Sequence, residues 1–407
     1  MLEIVVPAVA LTTIVFLLSL AVLLVRRGLV PGEDVEILIN DQRALRGDAG
    51  EKLLWALADH DVYLPAACGG RGSCGQCRIE VTRGGGAITP AEENHIARRD
   101  AARGVRLACM VTLGDDVAVH LPPELLEIRR WSSKVLANRH VTTYLKELTL
   151  ELPPGLELNF NAGAYVQLEA PAGIVRFDGF DIAAEYDAEW QRHGLRDLVV
   201  EIPETTTRAY SLASHPGESG AIKLVVRIAL PPPDAPVGTP PGRVSSYAFG
   251  LKPGDEVWLA GPFGEFRARD TDREMVLIGG GAGIAPLRAI VLDQLLNKRS
   301  GRKISFWYGA RNERELCYHS ELTELARQHE NFAYRVALSD PAPDSAWQGL
   351  TGLVHAVVYR EYLEGHPSPE EAEYYLCGPP LMSSAVLAIL EDLGVDRDSV
   401  FFDDFGS

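Results

Sequence analysis

Positive charge is scarce in this chain: its 407 residues carry 39 Lys and Arg against 56 Asp and Glu, a formal net charge of −17. A protein that grips nucleic acid needs a basic face for the phosphates, and one held on anionic lipid by charge needs a basic patch. The balance argues against both, so any membrane contact must come from apolar residues. Internal repetition is lacking too. No period of 20 to 50 residues recurs, which sets solenoids and propellers aside. Cysteine is sparse: six in a chain this long do not make a disulfide scaffold, and four of them fall before residue 110 with metal-like spacing. A reducing compartment follows. What is abundant is ordinary globular material, 46% hydrophobic and 23% charged, in a length that suits two or three domains.

The one long uncharged run is at the start. From Ile4 to Val25 there are 22 residues without a charge. As a helix they would extend about 33 Å, enough to cross a hydrocarbon core of about 30 Å. A cleaved signal peptide fits poorly, because the chain opens Met-Leu-Glu rather than with a basic segment. Residues 1–27 are therefore expected to be a transmembrane anchor. Arg26 and Arg27 follow the run, and the positive-inside rule then leaves the rest of the chain on the cytoplasmic side.

Beyond the anchor the texture changes twice. Val35 to Ile39 alternate as a strand ending at the turn pair Asn40-Asp41, and Leu53, Leu54 and Leu57 have helical spacing. A Pro-Pro break at 122–123 closes this first compact region. From Trp131 to about Arg269 short strands are separated by Gly and Pro turns, with a Pro-rich loop at 231–241, which predicts an antiparallel β-barrel or sandwich, the barrel being the expectation carried forward. After Arg273, strands at 275–278, 304–308 and 332–338 alternate with helical stretches, the pattern of a parallel α/β sheet. A helix is expected from Pro286 to Lys298, with Leu287, Ile290, Val291 and Leu295 on one face. The expected domains are 1–27 (anchor), 34–129 (α+β, iron-binding), 130–270 (antiparallel β-barrel) and 271–407 (α/β, nucleotide-binding).

Cys68, Cys74 and Cys77 stand on one Gly-rich loop, Cys68-Gly-Gly-Arg-Gly-Ser-Cys74-Gly-Gln-Cys77, and Cys109 follows 32 residues later. Four thiolates are what a [2Fe-2S] cluster requires, and glycines allow the backbone to turn its N–H groups toward that negative charge. Zinc ribbons use two C-x2-C pairs, whereas this chain has one pair and two single cysteines. The spacing resembles that of ferredoxins, though plant-type members have four residues, not five, in the first gap. Cys317 and Cys377 stand apart and are not expected to be ligands.

Four further motifs follow in order: Arg208-Ala-Tyr210-Ser211; Gly242-Arg-Val244-Ser245-Ser246; Gly261-Pro-Phe-Gly264; and Gly279-Gly280-Gly281-Ala-Gly283-Ile-Ala-Pro286. At these residues the chain resembles the ferredoxin-NADP reductase superfamily. The resemblance implies that Arg208 contacts the pyrophosphate of a non-covalent FAD, that Tyr210 packs on the isoalloxazine, and that Ser211 lies near the flavin atom that accepts hydride. Ser245 and Ser246 can cap a helix whose N–H groups face the same phosphates, with Gly242 and Val244 beside them. Glycines 279, 280, 281 and 283 lie between a strand and a helix, the context of a dinucleotide loop. Gly309 and Arg311, and Cys377-Gly378-Pro379, fall at the ends of later strands, where ligands bind in open α/β sheets. The resemblance places Cys377 beside the nicotinamide. It also makes Phe405, in the ending Phe-Phe-Asp-Asp-Phe405-Gly-Ser, a gate over the flavin. NADH is favoured over NADPH because no basic cluster awaits a 2′-phosphate, Arg311 excepted.

This domain order is found in soluble oxygenase reductases and in the NADH-oxidising F-subunits of sodium-translocating NADH:quinone reductases. The apolar N-terminal run, the insertion from Phe177 to Trp190 and the Asp403-Asp404-Phe405-Gly406 ending are similar to the second group. That resemblance implies an enzyme that takes hydride from NADH onto FAD. It would pass single electrons to the [2Fe-2S] cluster, then to membrane partner subunits that reduce ubiquinone and export sodium. The insertion, rich in Asp and Glu, is expected to be solvated and available for docking. Two rivals stay open, a reductase component of a bacterial oxygenase and a membrane-anchored scaffold with decayed nucleotide sites.

Overall fold

A computed structural model of the chain describes residues 12–19 and 34–403, apart from residues 233, 237, 343 and 344. Of the expected anchor, the stretch 12–19 is described and is helical; the rest of it lies outside the described residues. Among the described residues no helix is long and apolar enough to cross a membrane. The chain divides into two compact units. One takes in Gly70–Glu127 and the chain up to Leu64; the other takes in Pro65–Gly69 and the chain from Ile128 onward.

The first unit is built on a five-stranded sheet of order β2-β1-β5-β3-β4. Its strands are β1 (Asp34–Ile39), β2 (Arg43–Asp48), β3 (Arg78–Arg83), β4 (Val105–Leu107) and β5 (Val117–His120). Alternation in β1 buries Val35, Ile37 and Ile39 on one face. The turn into β2 uses Asn40 and Asp41 at φ 51° and 56°, a left-handed region these two side chains tolerate. The helix Leu53–Ala58 buries Leu53, Leu54, Ala56 and Leu57. Burying a polar group in this unit demands full pairing: Arg106 forks onto Glu92 at 2.8 and 2.9 Å and also donates to the carbonyls of Gly85, Gly86 and Ala87.

The second unit opens with β6 (Arg129–His140), β7 (Leu145–Glu151), β8 (Tyr165–Ala170), β9 (Gly173–Arg176), β10 (Val199–Ile202), β11 (Thr206–Ser211), β12 (Ala221–Arg227) and β13 (Glu256–Phe263). Six of these form an antiparallel sheet of order β11-β8-β13-β6-β7-β12. It curls until its two edges meet at a Leu212–Leu224 bridge. β9 and β10 pair separately as the stem of the insertion. The helix Arg243–Gly250 packs against β8, β11 and β12.

The rest of this unit is a six-stranded sheet, all parallel, of order β17-β16-β15-β14-β18-β19. Its strands are β14 (Met275–Gly280), β15 (Ile304–Ala310), β16 (Phe332–Leu338), β17 (Leu350–Thr351), β18 (Glu373–Cys377) and β19 (Val400–Asp403). Every residue of β14 and β18 is buried, as expected for parallel strands covered on both faces. The helix expected from Pro286 begins earlier, at Ile284, and ends as an α-helix at Leu292, continuing as a wider π-type turn over Asp293–Asn297. All nine residues of Ile284–Leu292 are buried, Arg288 included. The one-sided apolar stripe is therefore a fully enclosed helix.

Candidate functional site

The cysteine loop owes its path to glycine. Gly69, Gly70, Gly72 and Gly75 all have φ between 67° and 81°, a region closed to most side chains. Cys77 and Cys109 are buried and their Sγ atoms lie 3.3 Å apart within the first unit. Cys74, half-buried, lies in the same unit, while the buried Cys68 groups with the second. None of the six cysteines is in a disulfide among the described residues. No three His, Cys, Asp or Glu side chains are poised around a single ion there. The Cys77–Cys109 pair has the closeness of two ligands on one iron: two sulfurs about 2.3 Å from a tetrahedral metal are under 4 Å apart. The Cys77 thiol is pushed up by its hydrogen bond with Cys109, by burial and by the neighbouring sulfurs. Two thiolates this close repel unless a cation sits between them, so the pair fits an iron–sulfur group.

The Arg208-Ala-Tyr210-Ser211 motif lies on β11, whose alternation puts Arg208 and Tyr210 on one face. Both are half-buried; Arg208 Nη1 donates to the Thr207 carbonyl at 2.6 Å, and burial pushes the Tyr210 phenol up against the pull of Arg208. Beside Arg208, in the segment that groups with this unit, Gly69 leaves no space: a Cβ there would meet Arg208 Nη1 and the Thr207 carbonyl. Ser211 is buried and its Oγ donates to Asp403 Oδ2 at 3.1 Å. In the sequence Asp403 stands out only as part of the chain's ending, with no site role assigned to it. The acidic ending marks it, but nothing local reveals a contact across 192 positions.

Helix Arg243–Gly250 departs from expectation in its cap. Ser245 and Ser246 do not cap it; they occupy its first turn and donate back to the Gly242 carbonyl at 3.0 and 2.6 Å. Gly242 is the N-cap, with no side-chain cap bond. A Cβ on Gly242 would meet Ser245 Oγ at 2.7 Å and Ala229 Cβ at 2.8 Å. A glycine-entered N-terminus without a side-chain cap suits a phosphate, and the buried Val244 and Ser246 seat it against the sheet. Its other end is held by residues the sequence did not flag. Asn138 Nδ2 donates to the carbonyls of Ala248, Phe249 and Leu251, and the buried Lys146 ammonium donates to Phe249 O at 3.0 Å.

The insertion is more than a solvated loop. Asp178, Asp181 and Glu185 are exposed, but Phe177, Phe180, Tyr186 and Trp190 are buried. Trp190 stacks on Phe249 at 5.5 Å between ring centroids, and a Cβ on Gly250 would meet Phe180 Cε1 at 2.6 Å. Aromatic pattern, not charge, was its signal.

In the parallel sheet the chain runs from β14 outward to β15 and β16, then returns to place β18 on the other side of β14. The crevice at the carboxyl ends of β14 and β18 is thus the topological switch point, where open α/β sheets bind ligands. Both nucleotide motifs meet there. A Cβ on Gly279 would meet Cys377 O at 3.2 Å, and one on Gly283 would overlap the same carbonyl. One on Gly280 would meet Pro379 Cδ at 3.5 Å and Gly309 O at 3.4 Å; Gly281 turns at φ 56°. Tyr308 Oη donates to Gly281 O at 3.3 Å, and a Cβ on Gly378 would lie 3.0 Å from Gly280 N. Cys377 is fully buried, Pro286 lies buried in the first turn of the following helix, and Arg311 is exposed just beyond β15. Phe405 lies outside the described residues.

Family models match the same three regions. Residues 37–114 match the 2Fe-2S iron-sulfur cluster binding domain, 196–268 the oxidoreductase FAD-binding domain and 277–387 the oxidoreductase NAD-binding domain. Over 404 residues the chain is 48% identical to the F-subunit of the Na(+)-translocating NADH-quinone reductase of Neisseria gonorrhoeae, covering 99% of this chain and 100% of that one. The F-subunit of the Methylococcus capsulatus reductase is 47% identical over 406 residues, covering 100% of each. Among solved structures, the Amycolatopsis cytochrome P450 reductase GcoB superposes with a TM-score of 0.63 at 26% identity, covering 91% of this chain and 98% of that one.

Proposed function

The chain belongs to the family of the Na(+)-translocating NADH-quinone reductase F-subunits, and from that premise we propose the role of each part of it. It is an NADH-oxidising electron-transfer subunit that uses FAD and a [2Fe-2S] cluster. When bound, FAD would supply two-electron acceptance from NADH with one-electron release, and a [2Fe-2S] cluster would supply one-electron transfer.

The protein's share is placement. Arg208 and the first-turn amides of helix Arg243–Gly250 hold the flavin pyrophosphate, since a guanidinium fork and a helix N-terminus both match phosphate oxygens. Tyr210 covers the flavin ring and Ser211, fixed by Asp403, faces its reacting edge. Gly279, Gly280, Gly281 and Gly283 let the backbone approach the NADH pyrophosphate. Pro286 opens the helix behind it, and Gly309 with Arg311 borders the adenosine half. Cys377, Gly378 and Pro379 line the nicotinamide end, with Phe405 as the gate. Cys68, Cys74, Cys77 and Cys109 hold the cluster. The observation that carries the assignment is the meeting of the Gly279–Gly283 turn with Cys377 and Gly378 at the switch point. It is a crevice whose carbonyl and amide walls leave no room for side chains.

The chain is divided at 34–129, 130–270 and 271–407, a reading supported by the succession of a five-stranded and two six-stranded sheets along it, the middle domain being an antiparallel barrel. Residues 1–27 anchor the chain in the bacterial inner membrane with its soluble part on the cytoplasmic side. Its partners there are the other subunits, which deliver the electrons to ubiquinone while sodium is exported. The 48% identity over 99% of the chain favours this over a soluble oxygenase reductase.

An absorption spectrum of the purified full-length chain, taken before and after anaerobic NADH, tests the reading. Flavin bands and a broad iron–sulfur shoulder are expected, both bleached by NADH. A chain loaded with FAD and iron that NADH leaves unchanged would refute it.

A further inference from the structure

The strongest buried charge that the site has not used is Arg288. It lies on the helix Ile284–Leu292, one turn beyond the Gly279–Gly283 loop, and its side chain is 3% exposed. Every arm of its guanidinium is engaged. Nε and Nη2 fork onto the Glu321 carboxylate, both at 2.6 Å, while Nη1 donates to the Ala213 carbonyl at 2.5 Å and lies 3.7 Å from Glu218. Its flat face lies 4.5 Å from the centroid of the Tyr318 ring, and Tyr318 Oη in turn donates to Glu147 on β7 at 2.5 Å. Tyr318 holds a left-handed conformation, φ 54°, at the entry of the helix His319–Gln328.

The connections run between the two cofactor-binding sheets. Ala213 is two residues beyond Ser211, and its own amide is fixed to Lys223 O at 2.8 Å across the closure of the curled sheet. Glu218 is paired with Lys223 at 3.1 Å. Glu147, Ala213 and Glu218 therefore belong to the flavin side, and Arg288, Tyr318 and Glu321 to the nucleotide side. An apolar contact would be cheaper than a buried cation with three classes of partner. What the guanidinium adds is geometry, because a planar fork fixes distance and angle at once and a lysine cannot reach all its partners.

We propose that Arg288 is a positioning residue for NADH oxidation: it locks the strand end carrying Ser211 to the helix that follows the NADH-binding glycine turn, and so sets the approach of nicotinamide to flavin. Arg288 touches neither reactant. It acts through Ala213 on one side and through its own helix on the other, with Glu321 holding it between them. This rests on the assignment of the two motifs to FAD and NADH.

The test uses the full-length chain with its cofactors, as wild type, Arg288→Lys and Glu321→Gln. Flavin and iron contents should match wild type, and the dissociation constant for NAD+ should move less than about twofold. Flavin reduction at saturating NADH should slow by about tenfold or more, the scale on which small misplacements act. Deuterium at the transferred position of NADH should then slow the reaction further than it does in wild type. Without NADH, amide exchange at residues 211–214 and 279–283 should quicken in both variants. Unchanged reduction rates and exchange would overturn the proposal, as would a rate loss matching a loss of bound flavin. Should Arg288→Lys fail to fold, Glu321→Gln, whose acceptor is 37% exposed, decides alone. A wild-type chain that NADH does not bleach would instead condemn the cofactor assignment.

Discussion

Gly283 shows how little freedom single residues have here. A methyl group on it would overlap the Cys377 carbonyl and lie 2.8 Å from Gly378 N, so Gly283→Ala must push β14 and β18 apart at the crevice. Overpacking of this kind costs about 1–3 kcal/mol. The expected result is a folded chain that keeps its FAD but loses about tenfold or more in kcat/KM for NADH, since misplaced reactants lose rate steeply; steady-state kinetics check it. Cys109 makes the complementary case. Its sulfur is 3.3 Å from that of Cys77, and a hydroxyl is a poor ligand for iron. Cys109→Ser should abolish the iron–sulfur absorbance and bring iron close to zero while flavin is still reduced by NADH, as iron analysis and anaerobic titration would show.

At the scale of elements, the insertion and the helix Arg243–Gly250 act as one body. Trp190 is fully buried, stacks on Phe249 and donates from Nε1 to Thr143 O at 3.0 Å. Trp190→Ala should cost about 3–5 kcal/mol and, by loosening the helix, release FAD. Thermal unfolding and the flavin-to-protein ratio after gel filtration would fall together. Lys146 lies under the same helix, with its ammonium 4.6 Å from the Phe249 ring centroid. Burial lowers its pKa from 10.5 to about 8. Between those values the unfolded chain binds a proton that the folded chain does not, so stability rises with pH across the window, and the burial penalty is fully present below it. From pH 8 to 9.5 this amounts to about 1–2 kcal/mol. Lys146→Met should remove that increment, measured as the difference between the two proteins' denaturation midpoints at each pH.

For the molecule as a whole, the net charge of −17 makes electrostatic attachment to anionic lipid unfavourable, and the proposed anchor, the apolar run Ile4–Val25, can be tested on that basis. Membrane fractions should keep the full-length chain through a high-salt wash, which screens charge but not apolar contact. A chain lacking residues 1–27 should appear in the supernatant and still be bleached by NADH. Retention of the shortened chain on membranes without partner subunits would place the anchor elsewhere.

The order of the cofactor regions was legible along the chain because each motif is local. Cys68 to Cys77 and Gly279 to Gly283 carry their chemistry within about ten residues, and strand alternation in β1 or the all-apolar β14 is a property of neighbours. Helix limits were less legible: the chain from Ile284 has no polar face to mark its start, and Arg288 reads as a surface residue until its burial is seen. Likewise Ser245 and Ser246 have the composition of caps, but their hydroxyls turn back to Gly242. Tertiary structure alone decided which distant residues meet. The Ser211–Asp403 bond, the Arg288–Ala213 clamp and the Trp190–Phe249 stack span 192, 75 and 59 positions. Periodicity reports which face of an element is apolar, but only packing decides what that face meets.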